Sequence, residues 1–162
     1  LLQVLRKKAE PVKVVTNDII SVLNDMAETM YDAPGIGLAA NQVGILKRLI
    51  VMDCSTDDED PNLIKMINPE IIFSSNEISE LEEGCLSIPE HKSIVKRPSN
   101  IKVKFLNIKG FEEIIDAEGL LSACIQHEID HLNGVLFVDH ISRLKRDIIL
   151  RKVKKQIREN EK

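Results

Sequence analysis

Two histidines stand four residues apart in the stretch QHEIDH, at positions 127 and 131, and a glutamate directly follows the first. On an α-helix, positions i and i+4 lie on the same face, so both imidazoles can point at one metal ion. Glu128 lies about 100° further round such a helix than His127, where its carboxylate can reach a water molecule on that ion and take its proton. These residues therefore indicate a hydrolytic metal site that needs a further ligand.

The surroundings of the motif argue against a chance match. The sequence from Gly119 to Asn133 has a helical pattern and is apolar on nearly all sides, which predicts a helix buried in the middle of the domain. Buried polar groups are costly unless they are paired or bind a metal, so His127, Glu128 and His131 need partners there. We expect Gly134 to end this helix.

Three cysteines and two further histidines are candidates for the third ligand. Cys124 lies on nearly the same helix face, but it is about 10.5 Å along the axis from the second histidine, whereas metal bonds are about 2.0 to 2.3 Å long. Cys54 lies beside an acidic turn, which disfavours a thiolate. The polar neighbours of His91 and His140 indicate that both face solvent. Cys85, in LEEGCLSIPE, follows a glycine that lets the backbone approach closely, and its thiolate could meet the helix from an adjacent strand.

Hydrophobic spacing and turn residues predict the elements that must position these groups. Apolar residues recur at helical spacing between positions 17 and 31, with Thr16 or Asn17 as the N-cap. A Gly- and Ala-rich loop follows, and KRLIVMDC is typical of a buried strand. Four later segments have strand-like alternation or short apolar runs, namely LIKMINPEII, ISELEEGCLSIP, HKSIVKRP and NIKVKFLN. Gly110 indicates a hairpin turn.

Composition indicates one globular domain of a cytosolic protein. The chain has 162 residues, of which 43% are hydrophobic and 30% charged, enough for one buried core. It has no apolar run of the roughly 18 residues that cross a bilayer, and its three cysteines form no CxxC pair. With 3% aromatic residues, recognition of nucleic acid by base stacking is disfavoured. A cytoplasmic location is expected, or an organellar one if a targeting segment precedes Leu1.

Charge is distributed unevenly along the chain. The formal net charge is −4, yet residues 141–162 carry nine basic and three acidic side chains. Residues 142–162 have the pattern of an amphipathic helix, with Leu144 and Ile148, joined by Val153 and Ile157, on its apolar side. Its outer face would gather the basic residues Lys145, Arg146, Arg151, Lys152, Lys154, Lys155 and Arg158. A basic helix on an otherwise acidic protein favours docking on a polyanion.

Three segments in this order, GIGLAANQ at 35–42, EGCLS at 83–87 and QHEIDH at 126–131, resemble the signature motifs of peptide deformylases. The resemblance covers essentially the whole chain and is closest to the bacterial type with a helical C-terminal extension. It implies one α+β domain over residues 1–162, with antiparallel β-sheets around a central buried helix that carries HExxH, plus an N-terminal and a C-terminal helix. It also implies a bacterial cytoplasmic enzyme that removes the formyl group from the N-terminal formyl-methionine of newly synthesised proteins. Similar enzymes bind the ribosome through a basic C-terminal helix, so the ribosome is the expected polyanion.

The resemblance further implies that Cys85, His127 and His131 bind one divalent metal ion. Fe²⁺ would be the natural metal, with Zn²⁺, Ni²⁺ or Co²⁺ as substitutes, and one thiolate with two imidazoles suits several of these ions. Such an ion would lower the pKa of a water molecule, and Glu128 would be the catalytic base that takes its proton.

Positions around the substrate are also implied by the resemblance. The formyl oxygen would accept hydrogen bonds from the Gln42 side chain and the Leu86 backbone N–H. Gly35 and Gly37 would let the substrate backbone lie against the loop as an added strand. Lys92 stands where many relatives carry Arg, so its contact with substrate carbonyls would be that of a point charge.

The pocket for the methionine side chain is expected to be apolar. Its lining residues would be Ile36, Leu121, Ala123 and Cys124, and Gly84 would leave room for the substrate backbone. Ala123 is small where relatives often have a larger aliphatic residue, which would widen the pocket. Asp130 would orient a nearby basic group or a metal ligand.

Two other functions fit parts of the sequence. A zinc endopeptidase also uses HExxH, but it would need a ligand after His131, and Asp139 and His140 have no supporting motif. A structural metal site would need a fourth ligand and would leave Glu128 without a purpose.

Overall fold

The structure is a computed structural model that describes residues 2–162, so the first residue of the domain expected over 1–162 lies outside it. The described chain forms the helices α1 (Leu2–Leu5), α2 (Asn17–Asp32), α3 (Gly119–Leu132) and α4 (Arg143–Asn160). Its strands are β1 (Gly37–Ala39), β2 (Leu49–Met52), β3 (Ile64–Ser74), β4 (Ile78–Cys85), β5 (Ile88–Pro98), β6 (Asn100–Leu106) and β7 (Glu112–Glu118). Short 3-10 helices lie at Ala40–Val43 and Phe137–His140.

All strand pairs in the two sheets are antiparallel. Five strands form one sheet in the order β1-β2-β3-β6-β7, and β4 pairs with β5 in a separate two-stranded ribbon. The hairpin between β6 and β7 turns at Gly110, which has a φ of 80° that favours glycine. The α+β class with antiparallel sheets, a central helix and helices at both ends is confirmed.

Helix α3 is the central element, and ten of its residues are buried. One side packs against the large sheet in a core with Ile50, Met52 and Val103. The helix is also tied to the ribbon, because Ser122 Oγ and Gln126 Nε2 donate hydrogen bonds of 3.2 and 3.0 Å to the Pro98 carbonyl. The sandwich of sheet, helix and ribbon therefore encloses most of the side chains on α3.

Glycine is required at the position where α3 ends. Gly134 follows the C-cap Asn133 and has a φ of 74°, as expected for the residue after a helix. A Cβ here would clash with the backbone carbonyl of Arg6. Gly134 therefore ends the helix and also lets the N-terminal segment pass close by.

Helix α2 covers the other side of the large sheet. Thr16 is its N-cap, with Oγ1 accepting a hydrogen bond of 3.3 Å from the Ile19 N–H, which decides between the two expected caps. Its buried apolar residues Leu23, Met26 and Met30 pack against residues of β1 to β3.

The contact face of α4 differs from the one expected. Leu144 and Ile148 are 69% and 41% exposed, so the expectation that they lie on the side packed against the domain is wrong. The same expectation is confirmed for Val153 and Ile157. The residues that pack are Ile149, Leu150, Val153 and Ile157, in a cluster with Leu5, Ile88 and Phe137. These four lie on one side of a 3.6-residue helix, whereas Leu144 and Ile148 project from the opposite side. Cys85 packs against the same cluster, so α4 supports the end of β4.

None of the helices in residues 2–162 is both long and apolar enough to traverse a lipid bilayer.

Candidate active site

Three potential metal ligands from two parts of the fold meet at one point. Cys85 ends β4, while His127 and His131 lie on α3, and one ligand atom from each lies within 4.8 Å of the others. Nε2 of His131 is 3.3 Å from Cys85 Sγ and 3.2 Å from His127 Nε2. Atoms bound to one tetrahedral ion at about 2.0 to 2.3 Å are separated by roughly 3.3 to 3.6 Å, so the three residues fit a single ion.

Glu83 determines which nitrogen of His127 is free. His127 Nδ1 is 2.9 Å from Glu83 Oε1, and because a carboxylate accepts, Nδ1 must carry the proton and donate it. Nε2 is then available as a ligand atom, on the side where Cys85 and His131 lie.

Glu83 is itself held by a buried cation. Arg97 donates from Nε and Nη2 to the two Glu83 oxygens, at 2.6 and 2.9 Å, and from Nη1 to Asp130 Oδ2 at 2.8 Å. Burial alone would raise the pKa of Glu83, but hydrogen bonds from His127 and Arg97 lower it to about 2. Glu83 therefore stays ionised, and Arg97 is the basic group that Asp130 was expected to orient.

Neither Glu83 nor Arg97 was expected at the site from the sequence. A weak signal was present, because alternation along β4 puts Glu83 on the same side as Cys85, two residues later. Nothing local connects either strand residue with α3.

The histidines differ in their protonation in the absence of a metal ion. Burial lowers the pKa of His127, but hydrogen bonds with Cys85 and Glu83 outweigh it and raise the pKa to about 10. Burial and the positive charges of His127 and Arg97 lower the pKa of His131 to about 3. At neutral pH and without metal, His127 is therefore protonated and His131 is neutral.

Glu128 lies in the same buried region with an oxygen that no described group satisfies. The residue is 4% exposed, and its Oε2 is buried without a hydrogen-bond partner among residues 2–162. Burial, reinforced by the negative charge of Glu83, raises the pKa of Glu128 to about 7, although His127 and Arg97 act in the opposite direction. A carboxyl with this pKa can both accept and release a proton near neutral pH.

Gly37 makes room for this carboxylate. A Cβ built on Gly37 would lie 2.8 Å from Glu128 Oε1 and 2.8 Å from Cys124 Sγ, closer than real contacts allow. The sequence suggested only that Gly37 lets the substrate backbone approach. The structure adds that it lets α3 pack against β1.

The Gln42 side chain is fixed at the edge of the cluster. Its Oε1 accepts from the Ala39 N–H at 2.9 Å, while Nε2 donates to Ser87 Oγ at 3.1 Å and Cys85 Sγ at 3.4 Å. The Gln42 amide group is therefore directed at the candidate ligand Cys85 and at the neighbouring Ser87. Leu86, between Cys85 and Ser87, lines the cavity described next.

A cavity of about 590 Å³ opens onto the cluster. Among the residues expected around the substrate, Gly35, Ile36, Gly37, Gly84, Lys92, Ala123 and Cys124 line it, together with Gln42, Leu86, Cys85, His127 and Glu128. Leu121 does not line it, because its side chain packs against the core under α3. Leu120 lines the cavity in its place and is 48% exposed, since consecutive helix residues point about 100° apart.

Of the two histidines expected to face solvent, His140 is exposed and His91 is only partly exposed. His91 lines the cavity, and its Nε2 is buried without a partner among the described residues, so the expectation of a solvent-facing side chain is wrong. His140 contacts Asp130 through Nε2 at 2.8 Å. Asp139 pairs with Arg6. The endopeptidase alternative would require Asp139 or His140 in the ligand cluster, and neither residue lies there.

Similarity to known proteins extends over nearly the whole chain. Residues 2–147 match the family described as polypeptide deformylase. The peptide deformylase of Rhizobium meliloti (strain 1021) is 52% identical over 152 residues, covering 94% of this chain and 87% of the relative. The crystal structure of peptide deformylase from Ehrlichia chaffeensis superimposes with a TM-score of 0.92 at 41% identity, covering 98% of this chain and 94% of that one. A peptide deformylase structure from Legionella pneumophila gives a TM-score of 0.88 at 45% identity, covering 99% and 93%.

The positions of Cys85 and Cys124 predict different effects of their replacement on metal binding. Cys85→Ser should weaken the affinity for Zn²⁺ by at least about 100-fold, since it replaces a thiolate ligand with a neutral hydroxyl. Cys124→Ser should leave the affinity within about threefold of wild type, because Cys124 Sγ contacts the Ile36 carbonyl and is not in the ligand cluster. Competition with a chromophoric chelator measures both. Equal losses in the two variants would show that the wrong thiol has been assigned.

The raised pKa of His127 predicts that metal affinity depends on pH. Because a ligand nitrogen must be unprotonated and the metal-free His127 keeps its proton up to about pH 10, metal binding releases that proton. The apparent affinity for Zn²⁺ should therefore rise by at least about tenfold per pH unit between about pH 6 and about pH 8. Chelator competition in a series of buffers tests this, and an affinity that does not vary with pH would contradict it.

Proposed function

The chain belongs to the peptide deformylase family, a family of metal-dependent hydrolases that remove the formyl group from the N-terminal methionine of new proteins, and we propose how its own residues divide that reaction. Cys85, His127 and His131 would hold the metal ion. Glu128 is the base, and Gln42 and Leu86 bind the formyl oxygen. The observation that carries this assignment is the unpartnered, buried Glu128 carboxylate beside three ligand atoms with the spacing of one ion.

Glu128 moves the proton in this scheme. When bound, a divalent ion supplies Lewis acidity, which acidifies water and polarises a carbonyl oxygen. The Glu128 carboxylate accepts the proton of the attacking water and then delivers it to the amine nitrogen that leaves the formyl carbon. Its pKa near 7 suits both steps, and its burial keeps bulk water from competing for the proton.

Gln42 and Leu86 stabilise the negative charge that develops on the formyl oxygen. The Gln42 amide is already oriented by Ala39 and Ser87, so little reorganisation is needed when one of its N–H groups turns to the substrate. The Leu86 backbone N–H supplies a second donor from the turn between the ribbon strands.

The apolar part of the cavity takes the methionine side chain. Ile36, Ala123 and Cys124, with Leu120 in place of the expected Leu121, supply apolar surface for an unbranched thioether. Glycines at positions 35, 37 and 84 let the peptide backbone lie between the β1 loop and the ribbon as an added strand. Lys92, whose side chain is 69% exposed, offers its charge at the cavity edge.

The natural metal in this proposal is Fe²⁺, with Zn²⁺, Ni²⁺ or Co²⁺ able to replace it. A donor set of one thiolate and two imidazoles supports any of these borderline ions. The proposed location is the bacterial cytoplasm, which is supported by the bacterial origin of the similar enzymes.

The proposed partner beyond the substrate is the ribosome, bound through the outer face of α4. One face of α4 packs against the domain. The opposite side of the helix carries Arg151, Lys155 and Arg158, around Leu144 and Ile148. This basic face belongs to a segment with six net positive charges on a chain whose net charge is −4. It therefore suits rRNA phosphates.

Replacing the base tests the catalytic assignment. Glu128→Gln should lower kcat by about 10²- to 10⁴-fold while metal affinity stays within about tenfold, because the amide keeps the shape and cannot take a proton. Glu80→Gln, an exposed carboxylate on β4, is the control and should behave as wild type. The substrates are formyl-Met and acetyl-Met peptides, of which only the first should be hydrolysed rapidly. Glu128→Gln with wild-type turnover would overturn the assignment, and equal turnover of both caps would favour a peptidase.

Charge reversal on α4 tests the ribosome proposal. Truncation after Asp147 would also remove Ile149, Leu150 and Val153, which pack near Cys85, so it would damage the site as well. The triple variant Arg151→Glu, Lys155→Glu and Arg158→Glu keeps the packing face. It should hydrolyse short formyl peptides normally but lose salt-sensitive co-sedimentation with ribosomes by at least about tenfold.

The matched control reverses three exposed lysines away from α4, namely Lys13, Lys47 and Lys109. This control has the same net charge as the α4 variant. Equal loss of co-sedimentation in both would mean that net charge, not the helix face, governs the association.

A further inference from the structure

A chain of hydrogen bonds runs from the candidate metal centre to the protein surface. His127 donates to Glu83, Arg97 donates to both Glu83 and Asp130, and Asp130 accepts a further bond of 2.8 Å from His140 Nε2. The catalytic assignment includes His127 and, through it, the residues that hold it in place. It gives His140 no role.

The environment changes along this chain. The side chains of Arg97 and Glu83 are 5% and 8% exposed, whereas those of Asp130 and His140 are 24% and 33% exposed. Asp130 Oδ2 accepts from Arg97 Nη1 and from His140 Nε2 at the same distance, so one oxygen joins the buried part to the surface part. Asp130 is therefore the point at which water can compete with Arg97 for a hydrogen bond to the Asp130 carboxylate.

We propose that His140 is a positioning residue for the metal centre. By donating from Nε2, it holds the Asp130 carboxylate in the orientation that accepts from Arg97. Arg97 is then fixed at all three of its donating nitrogens, and Glu83 keeps both oxygens in the plane that accepts from His127 Nδ1. His127 Nε2 stays directed at Cys85 and His131. This inference rests on the proposed function, because it assumes that these three residues bind the metal.

The competing explanation is that His140 only anchors the 3-10 helix Phe137–His140 to α3. The structure contains a second anchor of that helix, which allows the two to be separated. Arg6 forms a two-pronged ion pair with Asp139 and also donates to the Gly134 carbonyl at 3.3 Å. Arg6 forms no hydrogen bond with any of the five residues that connect the metal centre to the surface, which are His127, Glu83, Arg97, Asp130 and His140.

The test compares His140→Leu, His140→Gln and Arg6→Met in the full-length protein. Zn²⁺ affinity is measured by chelator competition, and the Co²⁺-loaded protein is examined for its thiolate-to-cobalt absorption band. His140→Leu should lower Zn²⁺ affinity about 3- to 10-fold, less than the loss typical of a direct partner of a ligand, and should shift the cobalt band. It should also lower kcat for a formyl-Met peptide while KM stays within about twofold. His140→Gln should restore these values, since its amide nitrogen can replace Nε2 as the donor.

Arg6→Met should lower the melting temperature while leaving Zn²⁺ affinity and the cobalt band at wild-type values. Wild-type affinity and spectrum in His140→Leu would overturn the proposal, and so would equal losses in His140→Leu and Arg6→Met. The wild-type protein and Cys85→Ser are measured in parallel. If Cys85→Ser binds Zn²⁺ as wild type does, the ligand assignment fails, and the role of His140 fails with it for a separately identified reason.

Discussion

The buried ion pair between Arg97 and Glu83 is the interaction on which the candidate site depends. Both side chains are almost completely removed from water, and two of the three Arg97 bonds go to one carboxylate. Removing one partner of such a pair typically costs about 3 to 5 kcal/mol, because the other is left as an uncompensated buried charge. The pair also joins β5 and β4 to α3 through His127, so the geometry of a ligand and the packing of the ribbon share one cause.

Space is the second constraint, and small residues provide it. Helix α3 carries His127, Glu128 and His131 into a layer between the large sheet and the ribbon. A Cβ at Gly37 on β1 would displace the Glu128 carboxylate there. Gly37 is therefore as much a part of the site as the residues with functional groups. The orphaned Glu128 oxygen and the raised pKa follow from the same close packing.

How well the sequence predicted the structure depended on the range of the interaction. His127, Glu128 and His131 share a helix turn, so local periodicity alone brought them together. Cys85 was a candidate from its flanking residues, but its selection as the ligand relied on the resemblance, because no local rule relates a strand end to a helix residue 42 positions later. Arg97 escaped notice since its partners lie on two other elements.

Errors on the helices have a different origin, because one position along a helix changes the direction of a side chain by about 100°. For this reason Leu120 lines the cavity in place of the expected Leu121. Likewise, Leu144 and Ile148 lie on the exposed side of α4. An apolar residue in the sequence indicates only that part of the helix surface is buried. The neighbouring elements determine which face of the helix that is. Both helices were nevertheless predicted at nearly their observed positions.

The ligands come from two pieces of structure that differ in their intrinsic stability. Cys85 belongs to a two-stranded ribbon, and such ribbons are marginally stable in water unless something holds them down, whereas the histidines belong to the deepest helix of the domain. An ion held by all three residues would act as a cross-link between the ribbon and the core. Local opening of β4 and β5 would then be suppressed by the free energy of metal binding, and the amides of this ribbon would exchange with solvent more slowly as metal becomes available. Metal supply would thereby set the lifetime of the folded ribbon against cellular proteases as well as the rate of the reaction.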